Sequence, residues 1–186
     1  MKKLTLLIAL LVAVITGANA QVELKGLVGL NFATFHGSDE DVSAQAGYQF
    51  GGGVLIGNKF YVEPGIQFVR HVRDISGINL VSNSVKIPVY AGYHLLGAEE
   101  SPFALRIFGG PAVSIAGKLK EGPDHITKDD LNKTMWAVDG GLGLDIFFLF
   151  IEANYEYSFS DYFAESFGDS GKHGAFIVNA GIHIDF

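Results

Sequence analysis

Charged and polar side chains recur in this sequence at two-residue steps, with apolar or aromatic residues between them. Glu152, Asn154, Glu156 and Ser158 alternate with Ala153, Tyr155, Tyr157 and Phe159, and Asp139 and Asp145 flank Gly141 and Gly143 on the same parity. Lys25, Lys86 and Arg106 are basic counterparts for Glu63, Asp139, Asp145, Glu152, Glu156 and Asp185. In an extended chain such residues line one face. The chemistry open to them is an ion-pair and hydrogen-bond network or, if hydrated and unobstructed, a cation path. His183 and Asp185, with His94 toward the same end, combine imidazole and carboxylate, the ligand types of a metal site. A hydrogen-bonded histidine is the plainer reading, and no metal is expected. His71 and Ser84 are the nearest pairing of a base with a nucleophile, but no acid is aimed at His71. Asp39-Glu40-Asp41 and Asp129-Asp130 lack the spacing of a calcium loop. No glycine-rich loop leads from a strand into a helix to hold a nucleotide. No cofactor is expected.

The elements that must position these groups are strands. The apolar period is two over eight segments, roughly 22–32, 45–56, 59–72, 84–95, 103–117, 134–146, 149–160 and 173–186. Each is long enough to cross a bilayer as a tilted strand, which takes about 9–11 residues. Gly57-Asn58 and Phe147-Phe148 read as tight turns and 96–102 as a short connection, whereas 33–44, 73–83, 118–133 and 161–172 read as longer polar loops. Short turns at one end and long loops at the other match the layout of outer-membrane barrels.

The chain has 186 residues, and its start resembles an export signal. Lys2 and Lys3 precede an apolar stretch, Leu4 to Ile15, and Ala18-Asn19-Ala20 supplies the small residues of a cleavage site. The expectation is a signal peptide over 1–20, cut after Ala20 within the Ala18/Ala20 motif, and one domain over 21–186. The net charge of −7 becomes −9 once Lys2 and Lys3 are removed, which argues against a nucleic-acid partner. There is no cysteine, so disulfides and thiolate metal sites are excluded.

An alternating chain has two solutions: apolar side chains face inward in a soluble barrel, or face lipid in a membrane barrel with the polar set inside. Glycine decides between them. The chain has 24 glycines, well above the usual ~7%, and Gly29, Gly51, Gly53, Gly65, Gly92, Gly141, Gly143 and Gly181 fall on the polar face. Eight strands leave an interior only wide enough for side chains, where glycine makes room. On a water-facing surface it would only weaken the strand. The expected fold is therefore all-β, an eight-stranded antiparallel up-and-down transmembrane β-barrel. Pro64, Pro88 and Pro111 fall inside strands and should each mark a bulge or a distortion. Arg70 falls on the lipid face near the loop end, within reach of headgroups. Tyr162, Phe163 and Phe167 read as the outer aromatic girdle or an adhesive patch.

The closing residues, Asn179-Ala-Gly181-Ile-His-Ile184-Asp-Phe186, resemble the sorting signal of outer-membrane barrels. The resemblance implies that the barrel assembly machinery reads Gly181, Ile184 and Phe186. Further stretches, "LKGLVGLNFA", "SVKIPVYAGYHL", "FALRIFGGPAVSI" and "VDGGLGLDIFFLFIEANYEYSFSD", resemble strands of the small porin-like outer-membrane β-barrel family common in Bacteroidota. What the resemblance implies is a Gram-negative cell outer membrane location and lipid as the surrounding partner. It also implies a structural or surface-interaction role without catalysis, with any extracellular ligand reached through the loops. A narrow porin-like channel and a lipid A-modifying enzyme are the alternatives.

Overall fold

The computed structural model describes residues 21–36, 46–75, 78–97, 101–121, 134–159 and 172–185. Eight strands run in chain order: β1 (Val22–His36), β2 (Ala46–Gly57), β3 (Phe60–Ile75), β4 (Ile78–Leu96), β5 (Phe103–Glu121), β6 (Thr134–Ile146), β7 (Leu149–Ser158) and β8 (Lys172–Asp185). Each pairs antiparallel with the next, and β1 pairs with β8, so the sheet closes into a barrel. Closure leaves no edge strand and pairs the backbone polar groups within the wall. No helix among the described residues is long and apolar enough to cross a membrane.

The alternation sorts the side chains without exception on β6 and β7. Trp136, Val138, Leu142, Leu149, Ile151 and Tyr155 are exposed on the outer wall, while Asp139, Asp145, Glu152, Asn154 and Glu156 are buried inside. The charges of these strands therefore lie inside, joined there by Met135, Ala137 and Phe150, and the face that is apolar nearly throughout is the one exposed.

Two expectations need correction, and of the bulge or distortion expected at the prolines the structure shows the distortion, as a broken ladder. The stretch 73–83 is not a long loop, because β3 runs to Ile75 and β4 starts at Ile78. β5 likewise extends to Glu121, into the stretch read as loop from 118. β4 and β5, at 19 residues each, nearly double the 10 of β7. The prolines insert no bulge. Pairing of β3 with β4 stops at Pro64–Val89 and resumes at Gln67–Lys86, and pairing of β4 with β5 stops at Pro88–Ala112 and resumes at Ala91–Gly109. Register is the same on both sides of each gap. A proline removes a donor from the ladder but adds no residue to the strand. The register shifts on β4–β5 fall elsewhere, between Val81/Ser82, Ser82/Ser84 and His94/Leu96.

At the short-turn end, β6 and β7 join through Phe147-Phe148, and Phe147 holds a φ of 55°. An aromatic residue in the left-handed region is strained. Here the turn is tied on both sides: Phe147 N–H donates to the Pro102 carbonyl at 2.7 Å, and His183 N–H donates to the Phe148 carbonyl at 2.9 Å.

Candidate functional site: the barrel lumen

The lumen is built in layers along the strands. Nearest the short turns sit two histidines. His94 Nδ1 lies 2.7 Å from the Asn58 carbonyl, in the β2–β3 turn. His183 Nε2 lies 2.7 Å from the Phe147 carbonyl, in the β6–β7 turn, and its Nδ1 lies 3.0 Å from Glu23 Oε2. Both partners of His183 are acceptors, an arrangement that suits the imidazolium, which donates from both nitrogens. The two histidines thus pin different turns. Among the described residues no group of three His, Asp or Glu could hold a metal. The side chain of Asp185 lies outside the described residues; its backbone pairs with Glu23.

The next layer joins five charges from five strands. Lys25 Nζ on β1 donates to Glu63 Oε1 at 2.8 Å on β3 and to Glu152 Oε1 at 2.5 Å on β7. Arg106 on β5 grips Asp145 on β6 with two bonds, Nε to Oδ2 at 2.6 Å and Nη2 to Oδ1 at 2.7 Å. Its Nη2 also donates to Glu152 Oε1 at 3.0 Å, and its Nη1 to the Tyr61 hydroxyl at 3.2 Å. A third layer holds Lys86 on β4 between Asp139 on β6, at 2.6 Å, and Glu156 on β7. The Tyr90 hydroxyl donates to Asp139. Toward the loop end the lumen becomes neutral: Gln49 Nε2 donates to Asn179 Oδ1 at 2.8 Å, with Gln67, Asn31 and Asn154 buried nearby in the wall.

The structure therefore brings Lys25, Glu63, Lys86, Arg106, Asp139, Asp145, Glu152 and Glu156 into two clusters, every member buried. Apart from Arg106–Asp145, which joins the neighbours β5 and β6, these bonds cross between non-adjacent strands, β1 to β3 and β7, β5 to β7, β4 to β6 and β7. Through the shared Glu152, Lys25 on β1 and Arg106 on β5, which stand on opposite sides of the ring, are joined as well. Burying such charges costs several kcal/mol per ion, roughly recovered only when geometry and hydrogen bonding are complete. Bidentate Arg106 and the shared oxygen of Glu152 provide that geometry.

The sequence reading missed the apolar part of the filling. Leu55, Tyr61, Tyr90 and Phe108 form a buried cluster inside the barrel. Phe150 lies under Lys25, with the ammonium 4.4 Å from the ring centroid. Parity carried this signal, since Tyr61 is two residues from Glu63 and Phe150 two from Glu152, but hydrophobicity pointed to the lipid face instead. The lumen glycines receive these rings. A Cβ added at Gly92 would sit 2.1 Å from the ring of Tyr61, and one at Gly181 would sit 2.6 Å from the ring of Phe150.

His71 and Ser84 do not form a site at the lipid. Both are buried in the lumen, where the strand partners are His71 with Ser82 and Val69 with Ser84. Arg70 does reach the outer wall. The segment 1–20 with Ala18 and Ala20, the loop acids Asp39, Glu40, Asp41, Asp129 and Asp130, the aromatics Tyr162, Phe163 and Phe167, and Phe186 all lie outside the described residues. Gly181 and Ile184 lie on β8, the former facing in and the latter exposed.

Residues 18–164 match the family described as outer membrane protein beta-barrel domain. No curated protein matches the sequence. Among solved structures, Neisserial surface protein A is similar at a TM-score of 0.57 and 10% identity, over 89% of this chain and 99% of that one. The outer membrane protein OprG from Pseudomonas aeruginosa is similar at 0.52 and 13%, over 91% and 96%. At such identities the likeness concerns the fold.

Proposed function

The chain belongs to the outer membrane protein beta-barrel domain family, and on that premise we propose that it is a closed structural barrel that presents its loop end at the cell surface, with no catalytic site and no open pore. One observation carries this reading: buried charges fill the lumen, with Glu152 joining Arg106 on β5 to Lys25 on the opposite strand β1, and Lys86 on β4 holding Glu156 on β7. A passing ion would have to replace several charge-assisted bonds at once, each about twice as strong as a neutral one. The refolded mature chain should be silent in a planar lipid bilayer. Discrete conductance steps altered by Glu63→Gln or Arg106→Ala would establish the narrow channel instead. A changed lipid A mass spectrum on expression, lost in His71→Ala, would establish an enzyme.

Biogenesis follows from the same reading. Residues 1–20 serve as the cleaved export signal, ending at the Ala18/Ala20 motif. The barrel assembly machinery engages β8 through Gly181, Ile184 and Phe186. Phe186→Ala should lower the amount of folded barrel in the outer membrane severalfold, read from membrane fractions, without altering the stability of chain refolded in vitro. An unchanged amount would remove Phe186 from the signal. Any extracellular ligand would be met by the loops.

A further inference from the structure

We propose that Arg70, together with Tyr48, forms a site on the outer wall for the phosphate of an outer-leaflet glycolipid. The inference rests on the membrane seat of the barrel and is independent of whether the lumen conducts. Lys25, Lys86 and Arg106 point inward and are paired with carboxylates. Arg70 stands on the opposite face, in line with Ile66 and Phe68, which are exposed on the wall. Among the described residues no carboxylate forms an ion pair with it. Its guanidinium lies 5.6 Å from the centroid of the Tyr48 ring. Its strand neighbours are Tyr48 on β2 and Asn83 on β4. Directly below, Phe50 and Phe68 stack with centroids 5.6 Å apart.

Height places this cation at the outer headgroups. Arg70 follows Phe60, at the short-turn end of β3, by ten residues. With a rise of ~3.3 Å per residue and a tilt near 40°, that is about 25 Å, the height of the apolar band of such barrels. The backbone at Arg70 is also held from within. Asn31 Nδ2 donates to the Arg70 carbonyl at 3.3 Å, and a Cβ added at Gly47 would sit 2.1 Å from that carbonyl. An arginine with its backbone so held, its guanidinium over an aromatic ring and no carboxylate ion-paired to it among the described residues, offers its planar fork to a bidentate oxyanion. At that depth the available oxyanion is a lipid phosphate.

The test uses the mature chain in phosphatidylcholine nanodiscs, after flotation with lipid has shown that it is seated in a bilayer. Diphosphoryl lipid A and the same lipid stripped of both phosphates are titrated, and bound lipid is read by native mass spectrometry. The wild-type chain should prefer the phosphorylated lipid by roughly tenfold, the scale of one charge-assisted contact. Arg70→Gln should abolish the preference, Arg70→Lys should keep part of it, and Tyr48→Leu should weaken it. Equal binding of the two lipids by the wild-type chain, or an unchanged preference in Arg70→Gln, overturns the proposal. Displacement of the lipid by millimolar inorganic phosphate overturns the lipid as its source. A chain that fails to float overturns the membrane seat instead. Should Arg70→Gln not fold, Arg70→Lys carries the comparison: a preference equal to wild type would then reject a role for the bidentate fork.

Discussion

One carboxylate oxygen of Glu152 accepts from both Lys25 and Arg106, and one lysine, Lys86, bridges Asp139 and Glu156. At the scale of residues, the stability of this barrel depends on each buried charge keeping its partner. Lys86→Met takes the shared cation from two buried carboxylates, Asp139 and Glu156, and should cost about 3–5 kcal/mol in urea unfolding from lipid vesicles. Adding Asp139→Asn and Glu156→Gln removes the uncompensated charges and should restore most of that loss. A single substitution costing under ~1 kcal/mol would mean that water reaches this layer freely. The identities of the charged members were legible because carboxylates and cations recur on one parity of each strand. Their pairing was not, because Lys25 and Glu152 are 127 residues apart and meet only once the sheet closes.

At the scale of elements, glycines and aromatics oppose each other across neighbouring strands. Tyr61 faces Gly92, Gly92 faces Phe108, and Phe108 faces Gly141, a row that crosses β3 to β6 inside the wall. Large and small alternate along this row so that rings fit a lumen only wide enough for side chains. Gly92→Ala should therefore impair folding, by at least about 2 kcal/mol if a stable barrel forms, as overpacked sites do. Tyr61→Leu in the same chain should recover a substantial part, measured by the fraction of heat-shifted, folded band after refolding. No recovery would place the strain in the backbone rather than at the ring. The strands themselves were legible from period two, while the outer ends of β3, β4 and β5 were not. There the apolar alternation fades, and what extends the strands is pairing with a neighbour, Asp74 with Asn79 for example. At the prolines the expected distortion takes the form of a gap in pairing and not of a bulge, because the ladder tolerates missing bonds where adjacent pairs hold the register.

At the scale of the whole molecule, the exposed apolar wall must be covered by hydrocarbon, since a patch of that extent is untenable in water. Aromatics mark its two borders, with Tyr48, Trp136 and Phe159 exposed toward the loop end and Phe60, Phe147 and Phe148 at the short-turn end. The chain has a single tryptophan, so its emission reports one depth. In bilayers, lipids brominated near the headgroup should quench Trp136 more than lipids brominated near the chain ends. Absence of quenching by either would place Trp136 away from lipid and reject the seating of β6.

The sequence by itself determined the number of strands, their faces and most of the charges within, because alternation, glycine and charge are local properties read along one chain; Glu23, which pairs with His183, was not among those charges. Parity along β3 already turned His71 away from lipid, whereas only the tertiary structure decided which charge meets which and how far rings as well as ions fill the lumen. Those outcomes depend on closure. A residue's partner across the barrel is set by the registers of all eight strands together, and whether an aromatic belongs inside is set by the glycine that happens to face it.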